Sequence, residues 1–168
     1  MTTRSNPGDA SSRYPKAAPL NASFTGRSGS SESPRDGSEH LLVVDDEASI
    51  RLSLNRFLSR RGYHVSTARN GCEALAILDA HRAVDLVVTD LMMPEFDGRE
   101  LILQMREQHS SVPVLVISGF PAALLPDAGP DGKPLPFLAK PFALDVLETE
   151  VRRLLDERAQ RQRQDERD

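Results

Sequence analysis

LLVVDDE, residues 41–47, sets four apolar residues in a row directly against three acids. An unbroken run of this length suits a central strand of a parallel sheet, covered by helices on both faces. The arrangement recurs along the chain. DLVVTD ends at Asp90, VPVLVIS ends at Ser118, and PLPFLAK brings Lys140 just past a shorter run. Four strand patterns therefore each deliver a polar group at their C-terminal ends. Ligands of open parallel α/β sheets bind along that edge.

Between these strands the apolar spacing changes to that of helices. Ile50, Leu54, Phe57 and Leu58 mark one over residues 47–61, with Gly62 as its C-terminal stop. YHVSTA alternates and reads as a strand near an edge. Helices follow over residues 71–81 and 98–109, the second marked by Leu101, Ile102 and Met105. A fifth strand is expected over residues 135–139. A last helix is expected over residues 143–158, with Val146, Leu147, Val151, Leu154 and Leu155 on its apolar side. Strands alternating with helices predict a doubly wound, flavodoxin-like α/β fold, with five parallel strands in the order 2-1-3-4-5. GFPAALLPDAGPDGKPLP, residues 119–136, holds five prolines and three glycines, so the fourth helix is expected to be degenerate.

The flanks differ in character. Residues 1–38 are rich in Ser, Gly, Pro, Arg and Asp, with no apolar period, and read as a disordered N-terminal tail. A docking or localisation segment is the alternative for this stretch. Residues 39–158 form the folded domain. Residues 159–168 read as a charged C-terminal extension, a helical stretch with no apolar face left.

Bulk composition narrows the function. The 168 residues are 39% hydrophobic and 27% charged, with a net charge of -4, which argues against a nucleic-acid-binding surface. The single cysteine, Cys72, excludes an internal disulfide and, with no secretory leader, suggests a cytoplasmic protein. No apolar run approaches the ~20 residues of a membrane span. His40, His64, His81 and His109 lack metal-ligand spacing, and no nucleotide-binding glycine motif is present.

The strand ends define the chemistry. Strand order brings Asp45, Asp46, Asp90, Ser118 and Lys140 to one edge. Each has a plain structural explanation alone; Asp46, for instance, is a good cap for the following helix. Together, clustered carboxylates repel unless a cation intervenes, and Mg2+ suits a site of carboxylates, a carbonyl and a phosphate oxygen. Asp90 is then the candidate nucleophile, Ser118 a hydrogen-bond donor to a phosphoryl oxygen, and Lys140 its counter-charge. Pro141 follows Lys140, and a cis Lys140–Pro141 bond would aim that lysine.

From residue 39 to residue 157 the chain resembles the receiver domain of two-component response regulators. The residues carrying the resemblance are Asp45-Asp46, Asp90 within DLMMPEFDG, Ser118 and Lys140-Pro141. The resemblance implies a phosphoprotein of phosphorelay signal transduction, not an enzyme in its own right. Asp90 would take a phosphoryl group from a histidine kinase or a histidine phosphotransfer protein, with self-catalysed phosphorylation and dephosphorylation. It also implies Mg2+ held by Asp46, Asp90 and the Met92 carbonyl, with Asp45 acting through water. Ser118 and Phe137 would be the switch residues. Phe137 has no hydroxyl where tyrosine is common, so its ring is expected to lie inward even before phosphorylation. Phe96 stands where methionine is usual. The proline-rich segment resembles receivers of hybrid histidine kinases, whereas the chain itself reads as a stand-alone receiver. Two other functions compete. An aspartate-nucleophile phosphohydrolase would carry a DxD pattern after the first strand, and none is there. A phosphorylation-independent pseudo-receiver would not need the complete acid set.

Overall fold

The computed structural model describes residues 39–80, 83–119 and 133–167. Within them, five strands and four helices follow in the order β1 (His40–Val44), α1 (Ala48–Arg60), β2 (His64–Ala68), α2 (Gly71–Ala80), β3 (Leu86–Asp90), α3 (Gly98–Gln108), β4 (Val114–Ser118), β5 (Phe137–Ala139) and α4 (Leu144–Asp165). All strand pairs are parallel, and the sheet order is β2-β1-β3-β4-β5. This is the doubly wound architecture that the alternating pattern predicts. The segment expected to carry a degenerate fourth helix falls largely in residues 120–132, outside the described residues. The expected tail, residues 1–38, also lies outside them.

Strand alternation explains the two cores. Leu41 and Val43 of β1 point to one face, together with Val88, Ile117 and the helix residues Leu54, Leu58, Leu147 and Val151. Leu42 and Val44 point to the other, with Val87, Val116, Ala74, Leu78, Leu101 and Met105. Thus α1 and α4 cover one face of the sheet, and α2 and α3 cover the other. β1, β3 and β4 are buried along nearly their whole length, as continuous apolar runs require, whereas β2 is mostly half-exposed.

One detail of the last helix departs from the sequence pattern. Val146, expected on the apolar side of the final helix, is 46% exposed. The four residues that bury are Leu147, Val151, Leu154 and Leu155. The helix continues unbroken to Asp165, in line with the helical reading of the charged extension. Ladders of Arg152–Asp156 and Arg153–Glu157 pairs, four residues apart, support its exposed side.

The edge of the sheet opposite the acids carries its own polar cluster. Arg152 pairs with Glu39 at 2.9 Å, and Arg158 pairs with Asp85 and the Val84 carbonyl, both at 3.0 Å. Asp85 also accepts the backbone N–H of His40 at 2.8 Å. The buried His40 ring sits edge-on to His64 and hydrogen-bonds the Ser66 hydroxyl. These contacts clamp α4 against the starts of β1 and β3. Burial pushes the Arg158 guanidinium down from its ordinary range, and its partner Asp85 only partly restores it.

The start of α3 is fixed by both cap and close approach. Asp97 caps it by accepting from the Glu100 N–H, and Glu100 returns the bond to the Asp97 N–H. Gly98 donates to the Leu91 carbonyl at 2.9 Å. A Cβ at Gly98 would lie 2.1 Å from the Asp90 carbonyl oxygen and 2.9 Å from Leu91 Cα, both backbone atoms that cannot step aside. Gly98→Ala should therefore destabilise the protein by about 1–3 kcal/mol, the usual range for overpacking. Urea unfolding followed by circular dichroism measures this directly, and a substitution cost near zero would contradict the close approach.

Candidate functional site

Each strand that ends at the common edge contributes through its last residues. β1 leads into Asp45 and Asp46, β3 ends in Asp90, β4 ends in Ser118, and β5 leads into Lys140. Parallel pairing aligns these ends. Asp90 is registered with Ile117, and Ser118 with Ala139. The Lys140 N–H donates to the Ser118 carbonyl at 2.8 Å, which extends the ladder to the lysine itself. The Lys140–Pro141 peptide bond is cis.

Four of the five side chains converge, and Ser118 ends the strand beside that of Asp90. One carboxylate oxygen each from Asp45, Asp46 and Asp90 lies within 4.8 Å of the other two. Lys140 Nζ donates to Asp45 Oδ2 and to Asp90 Oδ2, both at 2.8 Å. Asp45 Oδ1 accepts the Glu47 N–H at 2.8 Å, and Asp90 Oδ1 accepts the Met92 N–H at 3.3 Å. Asp45 is fully buried, the Asp90 side chain is 13% exposed, and Asp46 is exposed. Ser118 is also fully buried. Phe137 is partly buried and packs against the core on the α2–α3 side of the sheet.

Charge is unevenly compensated. Burial pushes the Asp45 carboxyl above its ordinary value, against the opposing pull of Lys140 and the Glu47 N–H; the nearby Asp90 adds to the rise. Burial alone would push the Lys140 ammonium down. Its hydrogen bonds to Asp45 and Asp90 outweigh that effect and hold it above its ordinary value. The lysine therefore stays charged, and one ammonium faces three carboxyl groups. Hard oxygen donors, close spacing and surplus negative charge fit a small divalent cation such as Mg2+. Asp45, Asp46 and Asp90 are the side chains placed to hold it.

The sequence reading missed several supports of this site. Asp46 is not the helix cap: Glu47 occupies that position, without a side-chain cap bond. Arg51, which reads as an ordinary helix residue, donates from Nη1 to the Asp45 and Asp46 carbonyls at 2.6 and 2.8 Å. Phe96 does more than replace one apolar residue by another. Its ring lies where a Cβ at Gly71 would have to sit, 1.9 Å from that position, so the loop after β3 packs directly on the start of α2. Glu95, just before it, has a left-handed φ of 69°. A groove of about 470 Å³ opens between α1 and the Lys140–Leu144 segment. Lys140 lines it, together with Ile50, Leu54 and Phe142. Cys72 is exposed on α2, and burial around its sulfur pushes the thiol up, away from a reactive thiolate.

Comparison with known proteins agrees with this geometry. The family model described as response regulator receiver domain matches residues 41–152. The response regulator MprA of Mycobacterium sp. (strain KMS) is 42% identical over 115 residues, covering 68% of this chain and 50% of that protein. The sensor kinase CckA of Brucella abortus (strain 2308) is 37% identical over 121 residues, 71% of this chain but 13% of the kinase. The chain thus spans about half the length of the curated response regulators it matches, and a small part of the kinase. Among solved structures, the response regulator TrrA of Thermotoga maritima, in complex with Mg(2+)-BeF, superposes with a TM-score of 0.61. It is 29% identical and covers 69% of this chain and 98% of its own. No helix among the described residues is long and apolar enough to cross a membrane. With the sheet order, the acid edge and these likenesses in agreement, the chain belongs to the response regulator receiver domain family of two-component signalling.

Proposed function

We propose that Asp90 is the phosphoacceptor of a phosphorelay step, charged by a phosphohistidine on a histidine kinase or a histidine phosphotransfer protein. The observation that carries this reading is the pairing of Lys140 Nζ with both Asp45 and Asp90 at 2.8 Å, beside a third carboxylate. That arrangement supports a nucleophilic oxygen, a fixed cation and a metal-binding acid set acting together. Residues 39–158 supply the whole site.

The transfer is a displacement at phosphorus. A carboxylate oxygen of Asp90 forms the new O–P bond as the donor's N–P bond breaks. The electron pair returns to the imidazole, which takes up a proton from solvent. Asp46, Asp90 and the Met92 carbonyl would hold Mg2+ directly, with Asp45 acting through water. The bound ion supplies charge neutralisation for the carboxylates and the phosphoryl oxygens. Lys140 is already hydrogen-bonded to Asp90 and serves as the second cation for the new phosphoryl group. Ser118, at the end of the neighbouring strand, donates its hydroxyl to a phosphoryl oxygen. Phe137 follows as the aromatic that fills the space Ser118 vacates; its contact with the core before phosphorylation supports a small population shift. The protein acts stoichiometrically in the cytoplasm, as acceptor rather than as a turnover enzyme.

Supporting this reading over a phosphohydrolase is the order Asp45-Asp46-Glu47 after β1, which lacks a DxD nucleophile. The complete acid set speaks against a pseudo-receiver. Acetyl phosphate with Mg2+ separates the three: stable labelling supports the acceptor, rapid turnover the hydrolase, and no reaction the pseudo-receiver.

Asp90→Ala is expected to abolish labelling by acetyl phosphate while the fold persists. An acyl phosphate of unchanged yield in that variant would show that another residue accepts the group. Mg2+ at 100 times its dissociation constant should stabilise the native protein by about 2.7 kcal/mol, read as an upward melting shift. Asp46→Asn should remove most of that shift, and EDTA should block labelling. Labelling that proceeds unchanged in EDTA would sink the metal requirement.

A further inference from the structure

The Asp46 side chain differs from its two neighbours in how it is held. Asp45 is fixed at both oxygens, by the Glu47 N–H and by Lys140. Asp90 is likewise held at both, by the Met92 N–H and Lys140. Among the described residues, no group hydrogen-bonds the Asp46 carboxylate, which is exposed. Its aim is therefore set by its backbone. Two contacts hold that backbone: the Glu47 N–H donates to Asp45 Oδ1 at 2.8 Å, and Arg51 Nη1 donates to the carbonyls of both Asp45 and Asp46 at 2.6 and 2.8 Å. These two carbonyls belong to the peptide planes immediately before and after the Asp46 Cα.

Arg51 is out of place by ordinary helix rules. It lies in the opening turns of α1, which has no acid in its first turn. A cation there opposes the positive end of the helix dipole. Its own N–H is spent on the first helical bond, to the Glu47 carbonyl at 3.1 Å. The side chain is half-buried and curls back to the loop rather than out to solvent. The dipole cost is offset by two charge-assisted bonds to carbonyls that the helix leaves unused.

We propose that Arg51 is a positioning residue for the metal centre: it locks the two peptide planes flanking Asp46 and so aims that carboxylate at the cation. This rests on the Mg2+ reading given above. Residues that orient metal ligands typically influence affinity tenfold or more, although they never touch the ion.

Charge and position predict opposite signs here, which makes the inference testable. Arg51 is a fixed cation close to a divalent site. If it acted only through its charge, removing it would tighten Mg2+ binding, because like charges repel. If it acts by holding Asp46, removing it must weaken binding. Arg51→Met keeps an aliphatic stem and good helix propensity, so α1 should still form. The experiment is calorimetric Mg2+ titration of the full chain, with circular dichroism confirming the fold of each variant. We expect Arg51→Met to raise the Mg2+ dissociation constant about tenfold. Arg51→Lys, which keeps the charge on a single unforked ammonium, should fall between Arg51→Met and the wild type. In an Asp46→Asn background, Arg51→Met should add little, since the ligand it aims is already gone. Equal or tighter binding by Arg51→Met, or full additivity with Asp46→Asn, would overturn the positioning role. Should Arg51→Met not fold, Arg51→Lys decides alone: wild-type affinity overturns the role and weaker binding supports it. Failure of the wild type to bind Mg2+ at all would instead overturn the metal reading, and the Arg51 role with it.

Discussion

Lys140 sits between two carboxylates that would otherwise be forced together by the sheet. Asp45 and Asp90 end adjacent parallel strands, so the topology alone brings them side by side. Neither can retreat, because Asp45 is wholly buried and the backbone of Asp90 is pressed against Gly98. An ammonium donating to both at 2.8 Å allows three strands to finish at one point. Removing one partner from such a group strands a buried charge, which typically costs 3–5 kcal/mol. The same geometry is the source of reactivity. A single lysine cannot neutralise three acids, and burial already raises the proton affinity of Asp45. The site is thus stable enough to fold yet leaves negative charge for a second cation.

The sheet order and the strand ends were legible in the sequence for a definite reason. Apolar runs such as LLVV, bounded by turn and helix signals, suit central parallel strands, and a parallel sheet sends all their C-terminal ends to one side. Placement of Asp45, Asp46, Asp90, Ser118 and Lys140 at one edge follows from topology without knowledge of side-chain contacts. What stayed hidden depends on contacts between residues far apart. The Arg152–Glu39 and Arg158–Asp85 pairs join residues 113 and 73 positions apart, and nothing local marks those arginines. Arg51 was hidden for the opposite reason, since a helical arginine six residues past Asp45 reads as an ordinary solvated charge. Asp46 has the residue type of a cap, but the cap position falls one residue later, at Glu47. Val146 fits an apolar stripe by type, yet its direction on α4 leaves it exposed.

The loop after β3 shows how packing transmits position around the site. Phe96 closes over Gly71 while Gly98 closes over Asp90, so the starts of α2 and α3 are both keyed to one short segment. The Gly71 N–H also donates to the Phe96 carbonyl at 3.1 Å. A bulky aromatic at position 96 and no side chain at position 71 are therefore one feature rather than two. Changing either alone opens a void or creates a clash.

The length of α4 carries a consequence of a mechanical kind. Its 22 residues extend roughly 33 Å, about twice the reach of a five-residue strand beside it. The guanidinium clamps at Arg152 and Arg158 grip it at the far end of the sheet, so the turns beyond them project as a stiff shaft. Any group fused to that shaft inherits a defined azimuth, rotating by about 100° for each residue inserted. The domain can therefore serve as an indexed mount, with joint angle chosen by linker length in whole residues.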